Sequence, residues 1–395
     1  MLTTASPNFF HNLQSGAPTL NGLAGSLISV LDDCLVNGWG SQTATISVAS
    51  EVATLTTPLA HVFELHQIAL VAGATPSELN GRKRVISRTS NSITFAAPGV
   101  ADGAATGSIT VRLAPAGWSK VFSGTNLAVY RAPATADGTR LYLRVDDTVG
   151  RNARVVGYES MTDVDTGEGP FPSVAQISGG GWWPKSTAGD GTSRAWTVIA
   201  DDRTVYIHTS TSSGAVGLSG CVWGFGDFAS YKMGDPFASF LAADNADIAN
   251  QQSYRPAALE SVGLFNSTFA AYIPKSFTGI GGAVVAQRMA ESYFNGSTSP
   301  GASGSGGFGS ISQYPNGPNN GLLLSRIAIA ETQQLRGVMR GLYVAPQNCH
   351  AAFNRLDVVT GSGDMGGRNL LAVKCGSPLS SLSQGVVFFD ITGPW

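Results

Sequence analysis

Thr45-Ile-Ser-Val48, Val52-Ala-Thr-Leu55, Ile68-Ala-Leu-Val71, Arg84-Val-Ile-Ser-Arg88, Ser92-Ile-Thr-Phe95 and Ser108-Ile-Thr-Val-Arg112 are six short runs rich in β-branched and apolar residues, most of them alternating with polar ones. A period of two is what a strand with one buried face requires. Between the runs lie Gly73-Ala-Thr-Pro-Ser-Glu-Leu-Asn-Gly81 and Pro98-Gly-Val-Ala-Asp-Gly103, both dense in turn-forming residues. Six strands in about 70 residues predict a small antiparallel barrel or sandwich over residues 42–114.

The same texture continues toward the C-terminus. Ala128-Val-Tyr-Arg-Ala132, Arg140-Leu-Tyr-Leu-Arg-Val-Asp146, Arg151-Asn-Ala-Arg-Val-Val-Gly-Tyr158, Ala195-Trp-Thr-Val-Ile-Ala200 and Thr204-Val-Tyr-Ile-His-Thr209 all alternate, and Asp201-Asp202-Arg203 reads as a hairpin corner. Cys221-Val-Trp-Gly-Phe-Gly-Asp-Phe228 reads as a further strand, its glycines allowing close backbone approach. Leu322-Leu-Leu-Ser-Arg-Ile-Ala-Ile329, Gly337-Val-Met-Arg-Gly-Leu-Tyr-Val344 and Gly385-Val-Val-Phe-Phe-Asp-Ile391 are again strand-like, and the apolar run up to Trp395 predicts a docked terminus. Asn295 to Gly321 is a low-complexity Gly/Ser stretch that reads as a long loop. On the N-terminal side, Leu23, Leu27, Ile28, Leu31 and Leu35 recur at helical spacing before Asn37-Gly38, predicting a helix over about 24–36. The expected architecture is mainly β. A sandwich- or barrel-like body carries one N-terminal helix and spans residues 1–41 and 115–395. The body is one unit or two subdomains split near 245–255.

Composition narrows the function classes. Of the 395 residues 43% are hydrophobic and 13% charged, against about 25% charged in a typical domain. Gly accounts for 49 residues, against an average of about 7%. A surface so poor in charge fits one covered by neighbouring subunits. The net charge is -2, and no basic stripe gives backbone-driven nucleic-acid binding electrostatic support. No apolar run approaches the about 20 residues that span a bilayer, and Met1-Leu-Thr-Thr-Ala-Ser-Pro7 has neither the charge nor the apolar core of a signal peptide. Cys34, Cys221, Cys349 and Cys375 are far apart and read as neutral thiols of a protein made in a reducing cytoplasm.

Four blocks carry more than composition. They are Gly25-Ser-Leu-Ile-Ser-Val-Leu-Asp-Asp-Cys-Leu-Val-Asn-Gly-Trp-Gly40, Gly117-Trp-Ser-Lys-Val-Phe-Ser-Gly-Thr-Asn-Leu-Ala-Val-Tyr-Arg131, Arg154-Val-Val-Gly-Tyr-Glu-Ser-Met-Thr-Asp-Val-Asp-Thr-Gly-Glu-Gly-Pro-Phe-Pro172 and Phe388-Phe-Asp-Ile-Thr-Gly-Pro-Trp395. Together they resemble a family of virion structural proteins of tailed bacteriophages, associated with the tail or baseplate. In the proteins this body resembles, the Asn-Gly-aromatic-Gly block runs almost directly into the Gly-Trp-Thr/Ser-Lys block. Here Gly40 and Gly117 are separated by the whole 42–114 stretch, which therefore reads as a module inserted at an exposed loop of a discontinuous body. The stretch itself resembles a small β-module of phage and bacterial surface proteins, through the His61 region, the Gly73–Gly81 turn, Val85-Ile-Ser87, Ile93-Thr-Phe95 and Ile109-Thr-Val111. It departs from that module at Val62-Phe-Glu-Leu-His-Gln67, where the usual turn is Gly-rich.

Chemistry-bearing patterns are sparse. Asp146, Asp147, Glu159, Asp163 and Asp165 cluster in sequence and could hold a glycosidase pair, but Asp in loops is ordinary turn chemistry. Asp163-Val-Asp-Thr-Gly-Glu-Gly169 has the wrong register for a calcium loop and reads as an Asp/Gly turn. His11, His61, His66, His208 and His350 are scattered, and His61 and His66 miss the i,i+4 spacing of a helical metal pair. The glycine runs at 178–181 and 279–282 lack the Lys-Ser/Thr partner of a phosphate loop. Trp182-Trp183-Pro184-Lys185 is an aromatic anchor for core or subunit contacts, or a sugar platform.

The resulting expectation is a non-enzymatic structural component of a tailed-phage particle, in the tail or baseplate, without cofactor or metal. Its partners are copies of itself and other phage structural proteins, with host cell-surface glycan as a further partner, and no nucleic acid. It is made in the host bacterial cytoplasm and resides in the virion. The alternatives are a capsid-decorating or neck protein, or a glycan-binding tail protein. The contact residues expected are Trp182, Trp183 and Trp395, together with the Gly-rich loop at 296–310.

Overall fold

The computed structural model describes residues 2–214, 219–247, 258–260, 270–291, 314–315, 321–331, 334–376 and 384–395. Over these residues the chain is mainly β, with one short helix near its N-terminus. None of their helices is long and apolar enough to cross a membrane. The 296–310 loop and most of the proposed 245–255 boundary lie outside the described residues.

The 42–114 stretch forms two antiparallel sheets. One runs in the order Gln42–Thr43, Thr110–Leu113, Ile68–Ala72, Gly81–Arg84. The other runs Ser87–Arg88, Ser92–Ala96, Val52–Thr56, Thr45–Ala49, Gly103–Ala104. Their inward residues, Ile46, Val48, Leu55, Val71, Phe95 and Val111 among them, are buried in one cluster. The expected strand Arg84–Arg88 is cut in two. Gly81–Arg84 ends one sheet and Ser87–Arg88 begins the other, so the chain changes sheets at Val85 and Ile86.

These sheets pair only within the stretch, apart from one bridge between Leu2 and Arg82. On the C-terminal side the junction with the body is buried, while Ser41 and Thr43 on the N-terminal side are exposed. Leu113, Ala114 and Ala116 are fully buried. The Asn8 side chain donates to Ala114 O at 2.8 Å and accepts from Ile68 N at 3.0 Å. Gln67 donates to Phe9 O at 2.6 Å, and Gln14 donates to Val62 O at 3.1 Å and to Gln67 Oε1 at 3.0 Å. Buried amides satisfied in this way fix the geometry of the joint.

In the body, five strands (Ser119–Gly124, Leu127–Arg131, Tyr142–Asp146, Asn152–Tyr158 and Gly181–Pro184) form an antiparallel sheet in chain order. The largest sheet runs from Asn8–His11 through Ala195–Ala200 and Thr204–Ser210 to Cys221–Asp227. It continues through Ser239–Ala242, Ala270–Ile273, Val284–Ala290, Ser325–Glu331, Gln334–Val344, Gln384–Asp390 and Asn369–Gly376 to the outer strand Val358–Thr360. It also meets itself. Gly220 bridges Cys375 in parallel, with Gly220 N donating to Lys374 O at 3.3 Å and Gly376 N to Gly220 O at 2.9 Å. The strands between these two points thus close into a barrel-like ring. Side chains from around that ring, including Val222, Phe240, Ile273, Ile329, Leu342 and Phe389, share a second buried cluster. This is how alternating strands fill a small barrel.

The helix is Ser26–Leu31, extended by a π-helical turn over Asp32–Asn37. Leu27, Leu31 and Leu35 are fully buried and Ile28 nearly so, as their spacing predicts, while Leu23 precedes the helix and is 48% exposed.

Candidate contact surface

The blocks that stand out in the sequence meet at joints. The helix has no side-chain cap of its own. Asp147, just beyond the strand Tyr142–Asp146, supplies one: its Oδ2 accepts from Leu27 N at 2.8 Å and Ile28 N at 3.3 Å. The other Asp147 oxygen pairs with Lys185 Nζ, which also donates to Leu23 O at 2.7 Å, and both side chains are fully buried. Burial pushes the Asp147 carboxyl up to about 6 against the pull of Lys185, and burial lowers Lys185. At the other end, Cys34 O accepts from Ala116 N, and Leu35 O accepts from both Gly117 N and Trp118 N, each at 2.9 Å. These bonds satisfy carbonyls that a helix end leaves open. Gly117 is required there: its φ is +97° and a Cβ would lie 2.6 Å from Thr4 Cγ2. Asp32 then accepts from Tyr130 Oη at 2.7 Å and Lys120 Nζ at 2.8 Å. The Gly25–Gly40 and Gly117–Arg131 blocks are therefore two halves of one joint.

The expected contact residues separate. Trp183 is 1% exposed and its indole donates to Ala242 O at 2.8 Å, so it faces the chain's own interior and not a neighbour. Trp182, on the opposite face of the strand, is half-buried beneath the Arg154 guanidinium, 3.8 Å from the ring centroid. Trp395 is half-buried. Its indole donates to Asp390 O at 2.7 Å, and its ring lies 5.7 Å from that of Tyr206. The terminal run is docked, as its sequence predicts. The Trp395 ring covers Gly341, where φ is +63° and a Cβ would lie 2.2 Å from the indole nitrogen.

Trp395 also lines a groove of about 490 Å³, together with Asp137, Thr139, Arg203, Lys232 and Arg340. Arg340 Nη2 bridges Asp201 Oδ2 and Trp395 O, each at 3.0 Å. Asp201 is buried and its carboxyl is pushed up to about 6 by that burial, with Arg340 opposing. Asp227 accepts from Thr139 N and Oγ1. At the groove's rim three loops come together. Lys232 Nζ donates to Phe277 O at 2.9 Å, Phe277 N donates to Glu331 Oε2 at 3.0 Å, and Arg336 lies 5.5 Å from the Phe277 ring centroid. These loops present Tyr231 at 54%, Met233 at 97%, Ile280 at 78% and Leu335 at 49% exposure. Exposed apolar side chains on adjoining segments are suited to contact with a neighbouring surface.

Each of the carboxylates considered for catalysis is engaged by a structural partner. Glu159 pairs with Lys275, Asp165 and Asp146 share Arg144 at 2.7 and 3.8 Å, and Asp146 also accepts from Thr148. Asp163 accepts from Asp165 N at 2.7 Å and Thr166 N at 2.8 Å, bonds that hold its carboxyl below the usual range. It is a turn residue, as the Asp/Gly reading has it. Among the described residues no group of three or more His, Cys, Asp or Glu is placed to hold a metal ion. His61 Nδ1 accepts from Phe63 N and its Nε2 lies 3.1 Å from Ser92 O, shaping the loop that lacks the usual glycines. Sequence reading misses Asp147 as a cap, Arg340 as a clamp and Met233 as a surface residue. For Met233 the flanking Lys232 and Gly234 are the available signal, since an apolar residue between loop formers has no strand face to occupy.

No protein-family model matches the chain, and no curated protein matches it.

Proposed function

We propose that the chain is a structural component of a tailed-bacteriophage particle, placed in the tail or baseplate, working through contacts with copies of itself and other particle proteins and not through turnover. On this reading it is made in the host cytoplasm and resides in the virion. The observation that carries the reading is the set of exposed apolar side chains Tyr231, Met233, Ile280 and Leu335 on the segments that the Lys232–Phe277 and Phe277–Glu331 bonds bring together, with Met233 lining the Trp395 groove. Side chains of this kind gain most when a neighbouring surface removes them from water. The resemblance of the four sequence blocks to virion proteins of tailed phages supports it.

Two variants test the surface. Met233→Asp and Ile280→Asp place a charge on exposed side chains and leave the fold intact. Sedimentation velocity on the full chain is expected to show concentration-dependent association that both variants weaken by about tenfold or more. A chain that stays monomeric at every concentration and is absent from purified particles overturns the proposal, as does cleavage of capsular or lipopolysaccharide glycan. A position on the capsid surface or at the neck is the second reading. It uses the same cluster, and a reconstruction of the particle separates the two by location.

A further inference from the structure

The largest sheet carries a buried polar set on the face it turns to the core of the ring. Register places His11, Thr197 and His208 side by side on three successive strands. Residues directly opposite across an antiparallel pair share a face. Here that face is the interior one, because Phe9, Ile199 and Tyr206, each two residues along, belong to the buried cluster of the ring. The Phe9 and His11 rings are stacked at 6.3 Å. Neighbouring strands lie about 4.8 Å apart, so Thr197 stands between two histidines whose Cα atoms are about 10 Å from each other.

Arg355 completes the set from the segment between Gln334–Val344 and Val358–Thr360. Its Nη1 donates to Thr197 Oγ1 at 2.9 Å and to Trp196 O at 3.0 Å, and its Nη2 donates to Asn12 Oδ1 at 2.7 Å. These partners are all neutral. No carboxylate among the described residues acts on its charge, and burial alone lowers the guanidinium to about 10. Asp357, two residues on, accepts from Asn354 N at 2.7 Å, and its charge acts on Lys374 instead. Arg355 is 9% exposed and both histidines are buried, yet Arg355 Nε, His11 Nδ1 and His208 Nδ1 have no hydrogen-bond partner. A buried cation without a counterion is costly, and so is each orphaned polar atom beside it.

The two rings differ in where a proton sits. His208 Nε2 lies 2.9 Å from Lys374 O, which only accepts, so the neutral ring keeps its proton on Nε2 and leaves Nδ1 bare. His11 Nδ1 is free to carry the proton of its own ring. Burial first and the Arg355 charge second keep both rings neutral, lowering His11 to about 4 and His208 to about 3.

We propose that this set binds a monovalent anion of chloride or bromide size together with a proton. Arg355 Nε and His11 Nδ1 donate to the anion, and His208 becomes the third donor by taking up the proton at Nδ1. Thr197 Oγ1 and Asn12 Oδ1 hold the guanidinium in place. The anion supplies the charge that Arg355 lacks, and its field favours the protonated His208. Binding therefore strengthens as the pH falls. This site goes beyond the assembly reading and stands whether or not the chain is found in a particle.

Thermal unfolding of the full chain in sodium bromide and in sodium fluoride, at a matched ionic strength of about 0.15 M, tests it. Fluoride holds its water too firmly to enter a buried site and serves as the control. Bromide is expected to raise the melting temperature above the fluoride value by about 2 °C or more at pH 5, and by less at pH 7. Arg355→Met keeps a long side chain without charge and is expected to lose that gain. His208→Asn is expected to lose its pH dependence. Crystals of the full chain soaked in bromide are expected to show anomalous scattering beside Arg355, a readout that needs no variant to fold. The same melting temperature in both salts, a bromide gain that persists in Arg355→Met or grows from pH 5 to pH 7, or bromide found only elsewhere on the protein overturns the proposal.

Discussion

Single residues hold this structure at crowded or buried points. Gly341 is one: it sits under the Trp395 ring with φ of +63°. Gly341→Ala is expected to lower the unfolding free energy by roughly 2 kcal/mol or more, from left-handed strain and from the clash together. In a Trp395→Ala background the same substitution should cost less, because only the backbone strain persists. Denaturant titration of the four chains in that cycle checks both statements. His208 is another. It is buried, its Nε2 lies 2.9 Å from Lys374 O, and burial first and Arg355 second lower its pKa from 6.5 to about 3. The imidazole is therefore neutral when folded and takes up a proton on unfolding below pH 6.5. Its contribution to stability is complete above pH 6.5 and is lost as the pH falls toward 3. Buried carboxyls with raised values, Asp201 at about 6 and Glu260 at about 7, act in the opposite direction. The informative quantity is thus the difference from His208→Asn. The variant's stability should fall less steeply on acidification, by up to about 1.4 kcal/mol per pH unit. Parallel pH-dependent denaturant curves would refute this.

At the scale of elements, the strands were the legible part. Thr45–Ala49 and Val52–Thr56 alternate without a break and are buried at every second residue, so period-two reading finds them. Gly81 was read as the end of a turn and Arg84–Arg88 as one strand. The true break falls at a sandwich corner, where each half pairs with a different sheet, and no local pattern marks that change of partner. The helix was found through Leu27, Ile28, Leu31 and Leu35. Its π-helical end was not, because that end is set by the Ala116–Trp118 backbone arriving from across the inserted stretch. The Trp182-Trp183 pair reads from sequence only as an aromatic anchor; the structure sets it on a strand with one ring inside and one outside. Both assignments satisfy alternation, and only the Ala242 carbonyl decides between them.

For the whole molecule, the main question is how freely the module and the body can be separated. Read from sequence, the 42–114 stretch is an addition that the body could do without. In the structure Asn8, Gln14 and the Phe9 carbonyl find their buried partners in that stretch. Replacing residues 42–113 by a short linker is therefore expected to leave several buried polar groups unsatisfied, at about 1–3 kcal/mol each, and to yield a chain that melts early or does not fold. A truncated chain as heat-stable as the parent, measured by circular dichroism, would show the two parts to be independent.

Arg84 adds a temporal consequence. Its guanidinium grips the Ile391 carbonyl, 307 positions along the chain. At about 5–20 residues per second, the ribosome needs roughly 15–60 s to span that distance. The early β-module must wait that long, assembled but unclasped, before the polypeptide it is to be fastened to has been made.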